Sequence, residues 1–107
     1  MKLEEYVVVH LTNPREKFWG ILKELSPAGG TVRGLSLDAY EGWLREVARK
    51  EPVSFMPATV FFPLHRIERM FLDETVGELI SFADRFRKMI GEDARYHLTP
   101  IPEAPDR

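Results

Sequence analysis

Histidine is the side chain best suited to proton transfer near neutral pH, and the 107-residue chain holds three of them, His10, His65 and His97, far apart in sequence. No two stand at the spacing that puts a pair of metal ligands on one helical face. None has a serine or carboxylate beside it in a recognisable motif, so neither a nucleophilic triad nor a histidine-built metal site is legible. There is no cysteine, which excludes disulfides, thiolate chemistry and cysteine-built zinc sites. A glycine loop that cradles phosphate is missing, as is a paired acid and base. The expectation is a non-enzymatic protein without catalytic residues, metal or cofactor. His10 reads as a strand residue with its ring hydrogen-bonded, and His97 as part of a terminal tail.

One cluster has a different character. In "TVFFPLHRIERMFLDE", residues 59–74, His65, Arg66 and Arg69 gather beside Phe61 and Phe62. Guanidinium planes and aromatic rings supply the phosphate pairing and base stacking that single-stranded RNA needs, which makes His65, Arg66 and Arg69 candidate RNA contacts. The competing reading, which carries more weight, has Arg66 and Arg69 paired with Glu68, Asp73 or Glu74 and merely solvating a strand edge.

Composition narrows the classes. A mass of 12.4 kDa suits one domain. Fifteen Lys plus Arg against seventeen Asp plus Glu leave a net charge of −2, so a globally basic nucleic-acid footprint is missing while a local patch remains open. The start, "MKLEEYVVVHL", places two acids before a short apolar run and matches neither a signal peptide nor a membrane span. A cytoplasmic location without membrane contact is expected.

The elements follow from periodicity. "EYVVVHLT" is a strand apolar on both faces except at His10. Residues 14–26 admit two readings. Asn13, Pro14 and Glu16 resemble a helix cap, and Phe18, Ile21, Leu22 and Leu25 recur at helical spacing. Gly20 in mid-segment and the strand face shared by Trp19, Ile21 and Leu25 favour instead a strand, followed by a turn at Pro27 and Gly29-Gly30 and a further strand, "TVRGLSL". A helix over 39–50, capped by Asp38 and Glu41, carries Tyr40, Trp43, Leu44, Val47 and Ala48 on one stripe, read as core packing. Glu41–Arg45 and Glu46–Lys50 pairs lie on its solvated face. "ATVFFP" and "RIERMFLD" are two strands meeting at a tight corner of Leu64, His65 and Arg66. A second helix over about 81–90 starts at Ser81 and stops at Gly91, with Phe82, Phe86, Met89 and Ile90 as its stripe. Residues 1–91 read as one globular domain and the proline-rich stretch 92–107 as a flexible tail.

This order of elements resembles the Sm-like small β-barrel. The resemblance spans about residues 5–74 and rests on a bent strand with "G-x-L-x-x-L", a turn, "G-x-x-x-R-G", and two apolar strands joined by a short corner. It implies a mainly β, α+β fold: a strongly bent five-strand barrel with the 39–50 helix inserted between the third and fourth strands and the second helix appended. "L-H-R-I" at 64–67 resembles the corner of the bacterial Hfq type, which implies a pore-lining place for His65. The turn "SPAGG" lacks the Asp and Asn that hold uridine in this family, and no Arg-Gly dipeptide stands at the corner.

Two functions follow from different classes. The first and favoured is a self-associating interaction or scaffold module, a homo-oligomer joined through Val60, Phe61, Phe62 and Met70 and serving a protein partner. The second is a single-stranded RNA-binding protein using the corner at residues 64–69. Acidic net charge favours the first.

Overall fold

The apolar run of the first strand is continuous because it is buried on both faces. Strand β1 (Tyr6–Leu11) lies in the interior of a five-strand antiparallel sheet, flanked by β2 (Glu16–Ser26) and β5 (Ile67–Leu72). Strand β3 (Gly29–Ser36) pairs with β2, and β4 (Ala58–Pro63) pairs with β3, giving the order β4-β3-β2-β1-β5. The structure is a computed structural model describing residues 1–100. Between Glu16 and Ser26 the strand reading holds and the helix reading falls. Residues 19–22 are buried consecutively, as both-face burial in a sheet requires and a one-sided helix does not.

Glycine permits the tight β2–β3 approach. Gly20 and Gly34 are direct partners; a Cβ on Gly34 would sit 1.9 Å from the Trp19 carbonyl oxygen, and one on Gly20 would sit 2.2 Å from that of Arg33. The register shifts between Leu22 and Glu24, and the sheet bends so far that the rings of Phe18 on β2 and Phe62 on β4 meet edge to face at 5.1 Å. The bend stops short of closure. β4 and β5 are not paired with each other, so the sheet is open where a barrel was expected.

Helix α1 (Leu37–Ala48) lies between β3 and β4, as predicted. Its cap is Ser36, whose hydroxyl accepts from the Asp38 amide, rather than the expected Asp38 and Glu41 box. Glu41 is taken instead by Arg85 on helix α2 (Phe82–Ile90), and Glu46 accepts from the Ser54 and Phe55 amides of the loop after α1. Helix α2 keeps its predicted signals: Ser81 Oγ accepts from the Asp84 amide, and Gly91 ends it at φ 88°. Met89 leaves the expected stripe and is exposed.

The tail expected from residue 92 onward is ordered over its first part. A short helix, α3 (Arg95–Leu98), buries Ala94 and Leu98, whose four-residue spacing puts both on its inner side. Nearby prolines dominated the composition and hid this pair. The rest of the expected tail, 101–107, lies outside the described residues.

Two cores flank the sheet. On the outer face Val8, Trp19, Ile21 and Leu35 pack against Tyr40, Trp43 and Leu44 of α1, Phe86 of α2 and Leu98 of α3. Trp43, stacked on Phe86 at 5.0 Å, is buried as predicted. On the concave face Val7, Val9, Leu11, Leu22, Val32 and Phe62 form the second cluster. Each large side chain so buried contributes about 1.5–3 kcal/mol. No helix among the described residues is long and apolar enough to cross a bilayer.

Candidate interaction surface

All three helices settle on the outer face of the central strands, and that placement determines what stays bare. Asp73, just past β5, anchors the arrangement. Its carboxylate accepts from the Trp19 indole N–H at 2.9 Å and from the Phe82 and Ala83 amides at 3.0 and 2.9 Å, fastening the start of α2 over Trp19. Tyr40 donates to the Phe82 carbonyl at 2.7 Å. At the far end Tyr6 donates to Asp93, and Arg95 lies over the Tyr6 ring at 5.4 Å, pinning α3. Burial, reinforced by Asp93, pushes the Tyr6 phenol well above its usual range, so it stays a donor. With α2 held here, it does not lie along either edge of the sheet.

The two edge strands differ in what they present. On β4, Phe61 is 51% exposed while Phe62 is 5% exposed, because alternate residues face opposite sides and Phe62 enters the concave core. On β5, Phe71 is 41% exposed and Met70 turns inward to the concave cluster. Of the predicted interface residues, then, Phe61 projects outward, Val60 and Met70 are partly buried from the concave side, and Phe62 is a core residue rather than a surface contact. Leu64, the first residue of the corner, is also exposed, as are Val76 and Leu79 on the turn after β5. Sequence reasoning missed Phe71, which the alternation of "RIERMFL" places on the face opposite Met70.

The predicted basic cluster is taken apart by the fold. Leu64, His65 and Arg66 form a 3₁₀ turn between β4 and β5. Arg66 turns back to the β1–β2 connection, donating to the carbonyls of Thr12 at 3.1 Å and Pro14 at 2.9 Å, with Glu16 at 3.8 Å. The expected partners Glu68, Asp73 and Glu74 are not the ones it uses. His65 is exposed on the turn. Arg69 leaves the cluster and stands directly across from His10. His10 in turn meets Phe71 edge to face at 5.1 Å, and His97 packs its ring against Phe86 at 5.3 Å. Among the described residues no group of three histidine or carboxylate side chains is placed to hold a metal ion.

Two of the concavities on this surface border the helices and the sheet rows just described. One, of about 440 Å³, lies between α1, the loop after it and α3 and is lined by Arg33, Trp43, Val47, Val53, Met56 and His97. The Arg33 guanidinium there is already engaged by the Leu98 carbonyl. The other, an open cleft of about 530 Å³, lies where His10, Lys17 and Arg69 cross the sheet beside the start of α1. No family model, curated protein or solved structure matches the chain.

Proposed function

We propose that this chain is a self-associating interaction module, in which β4 of one copy pairs with β5 of the next. The observation that carries this reading is the strand order, which leaves two unlike sheet edges, neither hydrogen-bonded to another strand of the described residues. Unpaired edges of this kind invite strand addition unless they are blunted. Here Pro63 blunts one end of β4 and Arg69 puts a charge in mid-β5, while the run Thr59–Phe62 stays open. Because the edges are unlike, their pairing is head-to-tail, and a head-to-tail contact whose rotation closes yields a ring. The Sm-like resemblance implies the same joining of fourth and fifth strands between subunits. Val60 and Met70 would then continue the concave core across the seam, with Phe61 and Phe71 flanking it on the outer face. A stable seam needs to bury on the order of 1,000 Å² in total.

RNA binding at residues 64–69 is the weaker reading, because Arg66 is occupied by two backbone carbonyls and Arg69 faces a different surface from His65.

Light scattering after size exclusion tests the proposal. The wild-type chain should run as a closed multiple of 12.4 kDa, and Phe61→Lys should return it to monomer with its fold intact, since an unpaired charge would lie in the seam. Phe62→Lys is unsuited to this test: it would place the charge in the concave core. A wild-type mass of 12.4 kDa at high protein concentration would defeat the reading.

A further inference from the structure

The cleft beside α1 is built on a row of side chains that crosses three strands. Lys17 on β2, His10 on β1 and Arg69 on β5 are direct cross-strand partners, His10 opposite Lys17 on one side and opposite Arg69 on the other. They stand on the outer face, in the parity of Val8 and Trp19, just beyond the point where α1 stops covering it. The two fixed charges stand two strands apart with the His10 ring between them. Among the described residues none of the three joins an ion pair or a side-chain hydrogen bond. Arg15 adds a third fixed cation at the rim.

We infer that the His10–Lys17–Arg69 row is an oxyanion site for a small phosphate monoester. The row would meet the dianionic group with two fixed cations and a ring N–H. Leu37 lines the same cleft and offers the ester's organic part an apolar wall. Phe71 holds the His10 ring edge-on and so sets its orientation. The acids facing the row decide the ligand's size. Glu16, Asp38 and Glu68 also line the cleft and would repel a polyanionic backbone running out of it, whereas a single phosphate can rest on the row between them. The chain's net negative charge acts in the same sense. The site's signature is already present in His10. Burial lowers its pKa, the Arg69 and Lys17 charges lower it further, and Glu68 opposes them. A bound dianion would reverse the sign of that electrostatic shift. The site lies within one copy, with Arg69 on the outer face of the edge strand β5.

The experiment is an NMR titration of the His10 imidazole in the full chain at constant ionic strength, with sodium chloride as the blank. Inorganic phosphate and ribose 5-phosphate serve as small probes and hexauridylate RNA as the polymeric one. Both small probes should raise the His10 midpoint saturably, and Lys17→Gln with Arg69→Gln should weaken their binding by about tenfold or more. Without ligand, Lys17→Gln alone should raise the midpoint, because a facing positive charge is gone. A midpoint unmoved by phosphate beyond the chloride blank would overturn the inference, as would one insensitive to Lys17→Gln. Binding of the RNA more than about tenfold tighter than ribose 5-phosphate would replace the small ligand with a nucleic-acid backbone.

Discussion

Removing the Asp73 carboxylate should loosen the joint that keeps α2 off the sheet edges, and its cost can be worked bond by bond. Asp73→Ala deletes acceptors for three donors: the Trp19 indole at 2.9 Å and the Phe82 and Ala83 amides at 3.0 and 2.9 Å. Trp19 is fully buried, so its N–H would be left without water, a loss of about 1–3 kcal/mol. The two amides belong to the first turn of α2, where Ser81 still serves the Asp84 amide, so the lost cap costs about 1 kcal/mol. The sum is about 2–4 kcal/mol, and the terms share one group and need not add fully. Asp73→Asn is the sharper probe. One carboxylate oxygen serves Phe82 while the other serves both Trp19 and Ala83. An amide can put oxygen on one side only and turns its NH₂ toward a donor on the other. With its oxygen toward Trp19 and Ala83, Asn should recover part of the loss and leave the Phe82 amide facing an NH₂. Urea unfolding followed by tryptophan fluorescence measures both variants. A loss under about 0.5 kcal/mol for Asp73→Ala would refute the assignment of Asp73 as the anchor of α2.

Gly34→Ala should destabilise by more than about 2 kcal/mol in the same unfolding assay, because its Cβ would collide with the Trp19 backbone, which cannot yield without opening the β2–β3 ladder. In phosphate-free buffer, stability should rise with pH as His10 deprotonates. The folded pKa lies below the ordinary 6.5, so the unfolded chain binds more protons in that window; the contribution is full above about 6.5 and is lost as pH falls through the folded value. His10→Gln should flatten that part of the pH dependence of the urea midpoint, and an unchanged slope would exclude His10 as its source.

What the sequence made legible was local, and what it hid depended on register. Ser81, Gly91 and the stripe around Trp43 carry their signals within a few residues, and those elements stand where the spacing put them. The ambiguity over 14–26 had a physical origin. A strand buried on both faces loses the alternation that marks strands, and Phe18, Ile21, Leu22 and Leu25 then imitate a helix. Helix α3 rests on two apolar residues, too few to stand out against the prolines around them. The basic row was beyond reach for a different reason. His10, Lys17 and Arg69 become neighbours only through two antiparallel pairings, one of them between segments nearly sixty residues apart in sequence, with a bulge between His10 and Leu11 setting which residues meet. Arg69 looked like a partner of His65 because they are near in sequence; the register carries it elsewhere.

The allocation of side chains between the two faces bears on the proposed assembly. Among the described residues three helices are available to cover the edges, yet all of them pack over the central strands, with Trp19 at the focus. Trp19 contacts Tyr6, Tyr40, Trp43 and Phe82, and Asp73 holds its indole. Such a cluster fixes where the helices sit, because moving any one of them to an edge would expose aromatic surface worth about 25 cal/mol per Å². The edges are therefore left unpaired by the same packing that stabilises the fold. In the proposed assembly a second copy would cover them, offering β5 to β4 and a concave core of the same composition to continue. A flexible peptide could add to one edge, but it would leave the other open, so each added strand would still need its own partner. Closure through unlike edges removes both at once, and for that reason the assembly expected in solution is a ring and not an open dimer.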